Sequence, residues 1–148
     1  MFLAVLFFAT AAAQSQSITA SAEELLKLEK KIAATNPDLA PLLYDDVLAL
    51  LDEAIDIDGS NIHARALAGE VLLLRSDDGD GTYDVCELLD ARHEAEYVLK
   101  HGGGAGDAAL ARNVIRAIEA IPPDAIPDPP SSCDHDEDDH HGTKARSS

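Results

Sequence analysis

Residues Val47 to Leu72 read VLALLDEAIDIDGSNIHARALAGEVL, and this stretch decides the fold. Val47, Leu50, Leu51 and Ala54 fall on one helical face, with Leu43 one turn earlier, and the run ends near Asp58-Gly59. Ser60 or Asn61 then opens a new helix that carries Leu67, Val71 and Leu74 on one side and runs to about Arg75. Two amphipathic helices joined by so few residues bury their apolar stripes only by folding back on one another as an antiparallel αα-hairpin.

The same pattern extends in both directions. Upstream, Ser21 and Glu24 have the spacing of a capping box, followed by Leu25, Leu28 and Ile32. Asn36-Pro37 stops that helix and can cap the next. Downstream, a helix from about Tyr83 to Lys100 carries Val85, Leu88, Leu89, Ala95, Val98 and Leu99, ending at His101-Gly102. Gly102 to Gly106 reads as a hinge, and Asp107 as the cap of a last helix striped by Leu110, Val114, Ile118 and Ile121. No period-two run bounded by turns is present. The prediction is an all-α fold of about five helices in stacked antiparallel αα-hairpins, with helix starts about 22 to 24 residues apart.

The junction from Val47 to Leu72 resembles a tetratricopeptide repeat. Val47, Leu51, Ala54 and Ile55 stand where that family packs its second helix, and Ala64, Gly69 and Leu72 where it packs the next first helix. The chain departs from the family in its shortage of large aromatics, in Gly59 for the usual proline, and in a longer loop after Arg75. The resemblance implies a scaffold that receives peptides or helices in a groove and has no catalytic residues.

The two ends differ from the middle. Residues 1–13 read as a signal peptide: Phe2 to Ala9 is a short apolar run, and Ala11-Ala12-Ala13 before Gln14 offers small residues for cleavage. That leader predicts export to a periplasm or to the outside. Residues 14–123 form the helical domain, and 124–148 a Pro/Asp/His-rich tail that buries too little apolar area to order itself. The chain has 28 acidic and 11 basic residues, a net charge of −17. Such a charge repels nucleic acid and anionic membrane and suits divalent cations or a basic protein partner. Nothing in the mature chain calls for membrane insertion. Cys86 and Cys133 are too few for a disulfide framework; Cys86 reads as a small apolar residue on a helix face and Cys133 as part of the polar tail, although an oxidising compartment could pair them.

Two clusters suggest metal chemistry. Between Ser76 and Glu87, oxygen-bearing side chains occupy the first, third, fifth, ninth and twelfth positions of a twelve-residue stretch, with Gly81 at the sixth. This resembles an EF-hand or dockerin calcium loop, which would use Ser76, Asp78, Asp80, the Thr82 carbonyl, Asp84 and a bidentate Glu87. Ser76 stands where aspartate is usual and Tyr83 where a branched aliphatic residue is usual. The competing reading is a solvated acidic turn whose glycines close a helix hairpin. In the tail, Cys133, His135, His140 and His141 lie among aspartates and could chelate a transition metal loosely, without the spacing of a closed zinc site. His63, His93 and His101 have no partner at ligand spacing and read as surface residues. No nucleophile, phosphate-loop or dinucleotide motif is found. The sequence therefore predicts an exported, non-enzymatic module that meets a protein through the concave face of its hairpins, or alternatively a divalent-cation binder.

Overall fold

The computed structural model describes residues 2–36, 39–128 and 133. It is all-α, with five helices: α1 (Phe2–Thr35), α2 (Ala40–Ile57), α3 (Ile62–Arg75), α4 (Val85–His101) and α5 (Ala105–Ala120). A single turn of 3-10 helix, Pro123–Ala125, follows. No strand occurs among the described residues; the one β-type pairing is an isolated bridge between Asp77 and Tyr83.

Each helix packs on the next in sequence, and α3 also touches α5 and, more briefly, α1. The central helix is therefore α3, and its composition explains why. Ala64, Ala66, Leu67, Ala68, Gly69, Val71 and Leu72 are all buried, so α3 is apolar on most of its circumference and has neighbours on most sides. Small residues set the spacing. A Cβ on Gly69 would stand 3.2 Å from the Ala91 carbonyl oxygen, so glycine lets α3 and α4 approach backbone to backbone. From α2, Val47, Leu51 and Ala54 are fully buried against this face.

Helix α1 departs from its expected form. Ser21 does not start it: the helix runs unbroken from Phe2, and the Ser21 hydroxyl donates back to the Ser17 carbonyl. Nor is Leu28 on the buried face; it is 54% exposed. The buried stripe is Ser15, Thr19, Ala22, Leu26 and Glu29, partly polar, and a polar network explains it. Ser15 Oγ donates to the Ala54 carbonyl at 2.7 Å, and Thr19 Oγ1 to the Ser15 carbonyl at 2.8 Å. The Asn61 side-chain amide donates to both hydroxyls, at 2.8 and 2.9 Å. Its Oδ1 accepts the Ala64 N–H, so of the two expected caps, Ser60 and Asn61, it is Asn61 that caps α3. One side chain thus caps α3 and satisfies two buried hydroxyls of α1. Asn61→Ala should lower the unfolding free energy by about 1–3 kcal/mol, the loss of a cap plus unsatisfied hydroxyls. Asn61→Asp keeps the capping oxygen but removes the amide donors, so urea titration of both variants separates the two contributions.

Other boundaries shift by a few residues. α2 starts at Ala40 rather than after Asn36, with Pro41 in its first turn, and Pro37 lies outside the described residues. α4 starts at Val85, with Asp84 rather than Tyr83 before it. α5 is preceded by Gly104, and Asp107 is not its cap. Asp107 instead accepts from or pairs with His63 Nδ1 at 2.7 Å. His63 is accordingly more than a surface residue. Its Nε2 also lies 3.4 Å from Glu23, so α3 holds α1 and α5 through one imidazole. Burial lowers its pKa, but Asp107 and Glu23 outweigh that and hold it above the ordinary histidine value. Finally, the Tyr83 N–H donates to the Ala125 carbonyl at 2.8 Å, tying the 3-10 turn to the loop before α4.

Candidate binding groove and the acidic loop

Because α2 and α4 both lie on α3 without touching each other, a groove runs between them with α3 as its floor. Its apolar lining is Leu48 and Ile55 from α2 and Ala68 and Leu72 from α3. Its polar lining is Asp52 from α2, Asp90, His93 and Glu94 from α4, and Arg75 at the end of α3. The cavity is about 230 Å³. That is below the roughly 300–1,000 Å³ of pockets that enclose small molecules, and suits one long side chain.

The groove lining gathers three carboxylates, Asp52, Asp90 and Glu94, and one arginine, Arg75. Arg65 reaches Glu94 at 2.9 Å while its guanidinium lies 4.1 Å over the Tyr97 ring. Arg75 is shared between Asp45, at 2.8 Å, and Glu87. Asp52 sits at the groove lip, accessible to water but flanked by protein. Partial desolvation, followed by repulsion from Asp56 and Glu94, raises its pKa above the usual aspartate value, and Arg75 only partly offsets this. A cation entering the groove would relieve that repulsion.

The acidic loop sits beside one end of this groove, and its geometry bears on the calcium reading. Gly79 and Gly81 have φ of 79° and 93°, conformations that other residues rarely adopt, so the predicted sharp turn is present. The loop closes on itself through Asp78 N–H to the Thr82 carbonyl and Asp84 N–H to the Ser76 carbonyl. Its side chains are engaged elsewhere. Ser76 is fully buried and its hydroxyl donates to the Leu73 carbonyl. Asp80 accepts from the Thr82 backbone and hydroxyl, which favours its ionised form and lowers its pKa. Asp84 accepts from the Cys86 and Glu87 N–H groups as the cap of α4. Glu87, the expected bidentate ligand, has one carboxylate oxygen on Arg75.

Among the described residues, no group of three or more His, Cys, Asp or Glu side chains is placed to hold a metal ion. In this arrangement the Ser76 hydroxyl donates to Leu73, Asp84 caps α4, and Glu87 sets one carboxylate oxygen on Arg75 while its other oxygen is buried without a hydrogen-bond partner among the described residues.

The tail cluster is also altered. Cys133 is bonded to Cys86, with Cα atoms 5.3 Å apart, so neither cysteine is free and Cys133 offers no thiolate to a metal. Cys86 is a half of this cross-link rather than an apolar face residue. His135, His140 and His141 lie outside the described residues. The groove itself was missed by sequence reading, although the charge pattern of α2 and α4 contained a signal: Asp52 and Ile55, three apart, and Asp90 and Glu94, four apart, share faces. No family model, no curated protein and no solved structure matches this chain.

Proposed function

We propose that the chain is an exported, non-enzymatic interaction module, built as a tetratricopeptide-like stack, that receives a short cationic segment of a partner protein in the groove between α2 and α4. The observation that carries this reading is the pairing of an apolar floor with carboxylate walls at Asp52, Asp90 and Glu94. A lysine or arginine side chain buries its methylenes on such a floor and leaves its charge at the rim. The order of contacts supports the repeat-like reading: α1, α3 and α5 form one layer, while α2 and α4 lie apart on the other. Export is supported by the disulfide, which persists in oxidising compartments. The polar network starts at Ser15, so cleavage after Ala13 leaves it whole. No helix among the described residues is long and apolar enough to cross a membrane.

The test is selection of a random peptide display library on the oxidised chain, followed by affinity measurement on the enriched peptides. Enriched sequences should carry Lys or Arg next to an apolar residue. Asp52→Lys should weaken them at least about tenfold, in line with like-charge juxtaposition at an interface. Glu24→Lys makes the same charge change on the exposed side of α1 and should leave affinity nearly unchanged. Equal loss in both variants would mean non-specific attraction to an acidic protein, and enrichment of acidic peptides would refute the reading.

A further inference from the structure

The outer side of the last hairpin has the opposite character. A furrow of about 430 Å³ between α4 and α5 is lined by Leu99, Arg112, Ile115 and Arg116. Leu99 is 39% exposed, and among the described residues no later helix covers this face, whereas stacked hairpins need their terminal face covered. The arginines are unusual in their setting. In a chain with 28 acidic residues, Arg65, Arg75 and Arg92 are each paired with carboxylates of the described residues, but Arg112 and Arg116 have none there. Among the described residues Arg116 bonds to Asn113 and to the Arg112 carbonyl.

The chain holds a matching segment close by. Cys133 is fixed to Cys86 near the start of α4, and the next six residues, Asp134 to Asp139, include five carboxylates and His135. Leu99 lies thirteen residues beyond Cys86 on α4, about 20 Å at 1.5 Å per residue. Six extended residues also span about 20 Å. The contact between Arg92 and Glu119, at 3.9 Å, sets α4 against α5 so that Arg116 and then Arg112 lie further along the same path. We propose that the acidic run Asp134–Asp139 docks across this furrow, pairing with Arg112 and Arg116 and covering the exposed face of the last hairpin. The tether makes the contact intramolecular, so its strength depends on effective concentration as well as on the charge pairs. The proposal does not depend on the occupant of the α2–α4 groove.

Arginine-selective modification by phenylglyoxal, followed residue by residue through peptide mass mapping, tests it on the oxidised full-length chain. A full-length variant with Asp134, Asp136, Asp138 and Asp139 changed to Asn and Glu137 to Gln serves as the comparison. At low ionic strength Arg112 and Arg116 should react at least about fivefold more slowly in the native chain, and 0.5 M NaCl should remove the difference, as screening requires. Arg65, under Tyr97, should react alike in both chains. Equal rates at Arg112 and Arg116 would overturn the proposal. So would protection that fades on dilution, which would assign the contact to the tail of a second copy.

Discussion

Replacing Cys86 and Cys133 together by serine should lower the unfolding free energy by about 2–4 kcal/mol in the chain-entropy account of a cross-link. The two cysteines are 47 residues apart, and the loop they close holds α4 from its second residue onward and all of α5. The loss should not be uniform. α5 contributes only Ala111 and Val114 to the buried set, so few apolar contacts hold it and the cross-link restricts its departure. α3, with seven buried residues, does not need that help. Native-state hydrogen exchange should therefore show α5 amides opening first in the double variant, with α2 and α3 close to their original protection. A reducing agent should produce the same shift in the native chain and none in the variant. A change below about 0.5 kcal/mol, within the range of ordinary surface substitutions, would show that the bond is incidental to stability.

That pattern of dependence also shows which parts of the molecule were legible in the sequence. The all-α class, the Asn61 cap and the end of α4 at Gly102 all follow from local rules, and the structure places them where those rules predict. α1 was harder because its buried stripe includes Ser15, Thr19 and Glu29. The partners that hold Ser15 inward are 39 and 46 residues away, at Ala54 and Asn61, and Glu29 turns inward with one oxygen unsatisfied. The surroundings of the acidic loop were hidden for a related reason. Spacing alone gives Glu87 the last position of a calcium loop, but spacing is silent on Arg75, which reaches it from the preceding helix. Cys133 was assigned to a polar tail by composition, and only the return of the chain past Tyr83 brings it to Cys86. The groove is a consequence of two helices that each touch a third and not each other, which is tertiary information.

Glu29→Leu should stabilise the chain by about 3 kcal/mol at pH 8 and by far less at pH 4, because one pKa unit is worth about 1.4 kcal/mol. Glu29 is 3% exposed on the face of α1 that meets α2, and one of its carboxylate oxygens has no hydrogen-bond partner. Burial, with a smaller contribution from Asp46, raises its pKa from 4.5 to about 7. The neighbouring Lys30 gives no help, since its ammonium lies 2.6 Å from Glu70. Tyr44 reports the same environment: burial first, then the nearby Glu29 and Glu70, raise its hydroxyl above the ordinary value. The sign follows from proton binding. A carboxyl with a raised folded-state pKa binds its proton more tightly in the native chain than in the unfolded one. Native stability is therefore greatest, as far as Glu29 is concerned, below about pH 4.5, and it declines until about pH 7. The difference in unfolding free energy between Glu29→Leu and the native chain should be flat below pH 4.5, climb to about pH 7 and level off. Taking the difference removes the background titration of the other carboxylates, which is large in a chain of net charge −17. A difference that stays constant from pH 4 to pH 8 would mean that the carboxyl is hydrated in solution. A climbing one means that the α1–α2 seam loosens as the pH rises from about 4.5 to about 7, while the Ser15–Asn61 network still holds the other end of α1.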